Sequence, residues 1–139
     1  MANVKQLMVS FVTPDRQVSH GEVDMVVAPS AMGQVGILPD HCTLLADLAP
    51  GIVELHSKNN TLNERFAISG GFLEVDRNHV SLLVETAERA NEIDVERARK
   101  SLKASEAALA NLSTTSDDYQ NQFNRAQRAR VRLQVAGKL

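Results

Sequence analysis

Two rhythms of apolar and polar residues divide the chain. Through Thr86 the pattern is short and strand-like. Leu7, Val9 and Phe11 alternate with Met8, Ser10 and Val12, which predicts a strand whose two faces are both fairly apolar. Thr13-Pro14-Asp15-Arg16 breaks the alternation as a turn. Val23 to Ala28 is a second β-rich run, stopped by Pro29 and Ser30, and Val35 to Leu38 is a third, flanked by Gly33, Gly36 and Pro39. Gly51 to His56 and Arg65 to Ser69 flank a polar Ser57-Lys58-Asn59-Asn60 connection, the pattern of a hairpin. Phe72 to Val75 and His79 to Val84 repeat it around Asp76-Arg77-Asn78. Many short strands separated by turn signals predict an antiparallel sandwich or barrel.

From Asn91 the rhythm changes. There is no proline, and Gly137 is the sole glycine. Val95, Ala98, Leu102, Ser105, Leu109 and Leu112 recur at alternating steps of three and four, an amphipathic helix with one polar member. Ser113-Thr114-Thr115-Ser116-Asp117-Asp118 interrupts it with N-cap residues, and its acids fall where a helix dipole favours negative charge. Tyr119, Phe123, Ala126, Ala129 and Leu133 form a second stripe. Two helices joined by a short loop pack antiparallel. The fold class is therefore α+β, with a β-unit over 1–86 and a helical hairpin over 87–139. Alanine and serine hold several seam positions, and small side chains bury little area at about 25 cal/mol per Å². Such a hairpin is marginal alone and needs a surface, a ligand or a partner to dock on.

Charge sharpens this division. Residues 1–86 carry five basic and ten acidic side chains, 87–112 five of each, and 113–139 five basic and two acidic. An acidic body with a basic tail implies two units with different partners. The net charge of −2 and the 4% aromatic content argue against nucleic-acid binding. No apolar run reaches the roughly 20 residues that span a bilayer, and Met1 to Val12 lacks signal-peptide character. A lone cysteine, Cys42, fits a reducing compartment, and the cytoplasm is the expected location. The Asn59-Asn60-Thr61 and Asn111-Leu112-Ser113 triplets are discounted as glycosylation sites for want of a secretory signal.

Chemistry of the autonomous kind is scarce. His20, His41, His56 and His79 have no metal-ligand spacing, and no metal site is expected. Ala67 stands where a nucleophile elbow through Ser69 needs glycine, and no phosphate loop is present, so no catalytic residue is assigned. The hairpin's basic residues carry more information. Arg128 and Arg132 share one helix face, as do Asp94 and Arg97 on the other helix. A turn near residues 114–115 sets Arg97 level with Arg132 and Ser101 level with Arg128. Folding then gathers three guanidiniums, an arrangement that asks for an anion such as phosphate. Spacing alone leaves open the plainer reading of a solvated basic face.

Three stretches together resemble the epsilon subunits of bacterial and chloroplast F-type ATP synthases. They are Val12-Thr13-Pro14-Asp15, then Gly33-Gln34-Val35-Gly36-Ile37-Leu38-Pro39-Asp40-His41, then Ile68 to Val75 followed by Glu85-Thr86-Ala87-Glu88-Arg89. The resemblance covers essentially the whole chain. It implies a non-catalytic subunit with a sandwich of about ten strands that binds the gamma subunit of the central stalk and touches the membrane rotor ring. It implies helices that reach the alpha and beta subunits of the catalytic head and block ATP hydrolysis in an enzyme that couples proton flow to ATP synthesis. The location it implies is peripheral, on the cytoplasmic face of the inner membrane. Ile93-Asp94-Val95-Glu96-Arg97-Ala98 is similar to the motif of members that bind ATP as a regulatory ligand, with no cofactor otherwise required. Glu88, Asp94, Arg97, Arg128 and Arg132 fall on positions of that site, whereas Ala104, beside Lys103, stands at one of its basic positions. Met32, in a rotor-facing loop that departs from the family pattern, and His41 match the rotor-ring contact. The competing readings are a free-standing nucleotide-sensing module and, third, a small β-domain enzyme using His41.

Overall fold

In a computed structural model covering residues 5–57 and 64–139, with the side chains of 18–20 left aside, the first rhythm becomes ten strands. They are β1 (Leu7–Val12), β2 (Gln17–Val23), β3 (Met25–Ser30), β4 (Gly33–Ile37), β5 (Leu44–Leu48), β6 (Gly51–His56), β7 (Glu64–Ile68), β8 (Gly71–Asp76), β9 (His79–Val84) and β10 (Ala87–Glu88). The hydrogen-bonded order is β10-β7-β6-β3-β5-β8-β9-β1-β2, with β4 beside β3. All pairings are antiparallel except that of β1 with β9. The ladder folds over a single core, a sandwich-like arrangement. Leu7, Val9 and Phe11 from β1 meet Val53 and Leu55 from β6, Phe66 from β7, Leu73 and Val75 from β8, and Val80 and Leu82 from β9. Phe11 and Phe66 stack tilted, with centroids 4.5 Å apart.

The predicted turns and hairpins hold. Thr13 closes its turn through its backbone N–H and hydroxyl, both donating to the Arg16 carbonyl. β6 pairs with β7, and β8 with β9, around the expected connections. Arg77 and Asn78 both take positive φ, the geometry of a tight hairpin turn. The Lys58–Asn60 part of the first connection and the Asn59-Asn60-Thr61 triplet lie outside the described residues.

Three details differ from the sequence reading. The Val23 to Ala28 run is two strands, because the chain bends at Asp24, whose backbone N–H donates to His56. β3 then continues through Pro29, whose carbonyl accepts from Ala49 at 2.8 Å, so the missing N–H does not break the strand. β2 and β5 were not anticipated. A bulge opposite Val9 and Ser10 disrupts the alternation in β2, and in β5 Leu45 is exposed, so apolar residues stand on both faces.

A short 3-10 turn over Ala90–Glu92 leads into α1 (Val95–Leu109) and α2 (Asp117–Val135). Asp94 caps α1 by accepting from Arg97 N at 3.1 Å, and Ser116 caps α2 by accepting from Tyr119 N at 3.1 Å. Asp117 and Asp118 lie in the first turn of α2, as the dipole argument predicts. Small residues line the helix pair, with Ala98 and Ser105 buried on α1 and Ala126 and Ala129 on α2. A second buried face of α2, Val131 and Val135, lies in one cluster with Ala67 of β7 and Ile93, with Ile52 of β6 packed against it. The hairpin is thus docked on the outer side of β6 and β7.

Gly71 illustrates how tightly the strands approach. Its φ is +141°, and a Cβ there would lie 2.0 Å from the Leu83 carbonyl oxygen. Gly36, in contrast, has open space around it and an ordinary φ. Gly71→Ala is therefore expected to lose at least about 2 kcal/mol in urea unfolding, whereas Gly36→Ala stays within about 0.5 kcal/mol of the parent.

Candidate functional site

The docked hairpin encloses a cleft of about 770 Å³, within the range of about 300–1,000 Å³ typical of small-molecule sites. Its walls come from three places. Thr86, Glu88 of β10 and Glu92 of the 3-10 turn form one wall, the α1 cap Asp94 and α1 residues from Arg97 to Ser105 a second, and Arg125, Arg128 and Arg132 of α2 the third. Glu88, Asp94, Arg97, Arg128 and Arg132, all expected from sequence, line this one space. Their convergence follows from the helix register. Arg97 and Ser101 succeed each other along α1 while Arg132 and Arg128 run oppositely along α2, as antiparallel pairing requires.

The acids here are committed to protein partners. Glu88 Oε1 accepts from Arg132 Nε at 2.7 Å, joining the sheet edge to α2. Glu92 accepts from Arg89 N at 2.9 Å and lies 3.6 Å from Arg16. Asp94 spends one oxygen on its capping bond. By contrast, Arg97, Lys100, Arg125 and Arg128 have no ion-pair partner among the described residues. The cleft therefore presents an excess of donors suited to phosphate oxygens. The sequence assigns no site role to Arg125, Lys100, Ser105, Thr86 or Glu92, which also line the cleft. The same level-matching rule sets Arg125 opposite Ala104, so the signal for that residue was present.

Met32 and His41 flank β4 at opposite ends. Met32 caps the turn between β3 and β4 and is 98% exposed. His41 follows the other end of β4, after a turn closed at Leu38. Its Nδ1 lies 2.7 Å from the Cys42 carbonyl oxygen, and its backbone N–H donates to Leu38, so it stabilises its own turn. That loop is pinned from outside. Asn78 Oδ1 accepts from Asp40 N at 2.6 Å, and Lys5 Nζ donates to Asp40 Oδ2 at 3.0 Å. No group of His, Cys, Asp and Glu able to hold a metal occurs among the described residues.

Comparison with known proteins places this architecture. Residues 6–90 match the family described as "ATP synthase, Delta/Epsilon chain, beta-sandwich domain", and residues 91–137 match "ATP synthase, Delta/Epsilon chain, long alpha-helix domain".

The chain belongs to the delta/epsilon family of ATP synthase subunits.

A protein named "ATP synthase epsilon chain" from Geobacter metallireducens is 42% identical over 134 residues, covering 96% of each chain. Another of that name, from Herpetosiphon aurantiacus, is 47% identical over 130 residues, covering 94% of this chain and 93% of its own. A chain in the Euglena gracilis mitochondrial ATP synthase structure superposes with a TM-score of 0.71 at 22% identity, over 99% of this chain and 81% of that one. At that identity the likeness bears on the fold alone. Membership in the delta/epsilon family makes this chain a non-catalytic subunit of an ATP synthase, which removes the small-enzyme reading.

In this delta/epsilon chain the Lys5 hydrogen bond, then the Asn78 amide, hold the Asp40 carboxyl below its ordinary pKa. A carboxylate whose folded pKa is depressed contributes stability above its unfolded pKa and loses it as pH falls through the folded value. Lys5→Met is expected to move the Asp40 titration up towards that of an unperturbed aspartate in carboxyl NMR; an unmoved titration would contradict the pinning role of Lys5.

Proposed function

We propose that this chain is a central-stalk regulator of its ATP synthase. In this reading the sandwich binds the gamma subunit and the membrane rotor ring. The complex holds the chain peripherally at the cytoplasmic face of the inner membrane. Among the described residues no helix is long and apolar enough to cross a bilayer. Rotor contact is assigned to the turn bearing Met32, whose exposed thioether suits an apolar partner. His41 joins that contact if the interface runs the length of β4. The hairpin leaves its docked position to reach the alpha and beta subunits of the head, where it blocks hydrolysis.

One observation carries the regulatory part: Glu88, Asp94, Arg97, Arg128 and Arg132 line one cleft in the docked, folded hairpin. A ligand that binds the docked form and not the released one shifts the population toward docking by mass action. The unpaired guanidiniums favour a phosphate-bearing ligand, and ATP is the regulatory ligand proposed. Glu88 is then positioned between the sheet and the ligand-bearing helix.

Two measurements test this reading. Isothermal calorimetry of the isolated chain with ATP should saturate, and Arg97→Ala or Arg128→Ala should weaken binding about tenfold or more, the worth of a charge-assisted bond. No saturation at millimolar ATP would remove the ligand from the proposal. Separately, truncation after Ala87 in the assembled complex should raise ATP hydrolysis by the head. Unchanged hydrolysis would remove the inhibitory role.

A further inference from the structure

The loop that joins β4 to β5, residues 38–43, carries His41. Its internal hydrogen bonds are local: His41 N donates to the Leu38 carbonyl, and the His41 ring meets the Cys42 carbonyl. Leu38 and Cys42 face solvent and anchor nothing. Among the described residues, every hydrogen bond that leaves this loop runs through Asp40. Its chief partner is Asn78, 38 positions away in sequence. Asn78 Oδ1 accepts from Asp40 N at 2.6 Å, and Asn78 Nδ2 reaches back to Asp40 Oδ1 at 3.4 Å. Asn78 is itself a fixed base, because its carbonyl accepts from Met8 N at 2.8 Å beside the parallel pairing of β1 with β9. Asp40 and Asn78 both hold a φ of +65°, a conformation that glycine takes more easily. A side chain at each position is thus used where the backbone alone favours none. Lys5 adds an ion pair to Asp40 at 3.0 Å, but both side chains are exposed, so salt screens it.

We propose that Asn78 is a positioning residue for the rotor contact: its amide, acting through Asp40, fixes the loop that presents His41. The proposal rests on the rotor contact assigned to His41. A loop held in one arrangement before a partner seats on it loses less freedom on contact than a loop that must order at that moment. Asn78 touches no partner in this scheme. Glycine at position 78 keeps the turn, since it takes a positive φ without strain, and removes the grip. Glycine at position 40 removes the other half of the same grip. The two substitutions separate loop position from turn geometry.

Cys42 supplies the reporter, being exposed, next to His41 and the sole cysteine of the chain. A nitroxide on Cys42 reads the mobility of the loop in the full chain. A benzophenone on Cys42, with the labelled chain reconstituted into the assembled complex, reads what the loop meets. Asn78→Gly and Asp40→Gly should each raise the mobile fraction of the nitroxide spectrum while the urea midpoint stays near that of the parent. Each should lower cross-linking to the rotor ring by roughly threefold or more, the worth of one hydrogen bond. Raising salt to about 1 M, which screens the Lys5 pair, should leave the parent loop ordered. A nitroxide spectrum unchanged by Asn78→Gly overturns the positioning role, and so does a parent loop that salt alone sets free. A loop freed by Asn78→Gly with undiminished rotor cross-linking overturns it as well. If Cys42 cross-links a different subunit, and Asn78→Gly diminishes that product, the positioning role stands and the rotor assignment of His41 fails. A parent that cross-links no subunit overturns both.

Discussion

Everything distinctive in this molecule depends on how lightly α2 is held to the sandwich. Val131 and Val135 meet Ala67, Ile93 and Ile52, and little else apolar crosses that boundary. Burying two valine-sized side chains contributes on the order of 3 kcal/mol as an upper estimate. That is a small fraction of the roughly 5–15 kcal/mol that stabilises a domain. The same contact sets Arg132 against Glu88 and closes the third wall of the cleft. An element held by so few apolar contacts lies toward the low-stability end of the structure.

Charge follows the same division of labour. Arg89 is fixed by the Phe66 ring, 5.0 Å from its centroid, and by Glu64, so it belongs to the sandwich. Arg99 and Arg130 are satisfied on the hairpin's surface by Glu96 and Glu106. What remains is a set of cations concentrated where the two units meet. Exposed ion pairs are worth little individually. Their value here is indirect, since they leave the unpaired charges in one place.

Much of this was legible in the chain itself, and for identifiable reasons. The helices were readable because stripe, caps and first-turn acids agreed with one another at Asp94, Ser116, Asp117 and Asp118. The convergence of Arg97, Arg128 and Arg132 follows from helical spacing together with a turn near residues 114–115. β5 escaped because Leu45 points outward and hides the alternation, and β2 because a bulge resets it. Pro29 misled because a proline reads as a strand end unless the ladder needs only its carbonyl. The second face of α2, Val131 and Val135, was overlooked since one apolar stripe already accounted for the helix. Ser105 reads in the sequence as the polar member of a seam, and only the folded structure shows it buried.

The parallel pairing of β1 with β9 has a consequence for how the chain is made. Met8 through Val12 lie against His79 through Leu83, nearly the whole length of the β-unit apart in sequence. β1 can form its hairpin with β2 as soon as both are synthesised, but its other edge stays open until β9 has been made. Such distant closure carries a high contact order and slows folding. An open edge is also a place for unwanted pairing with other chains. The helices follow β9 in the chain, so every strand of the surface they dock on is synthesised before they are.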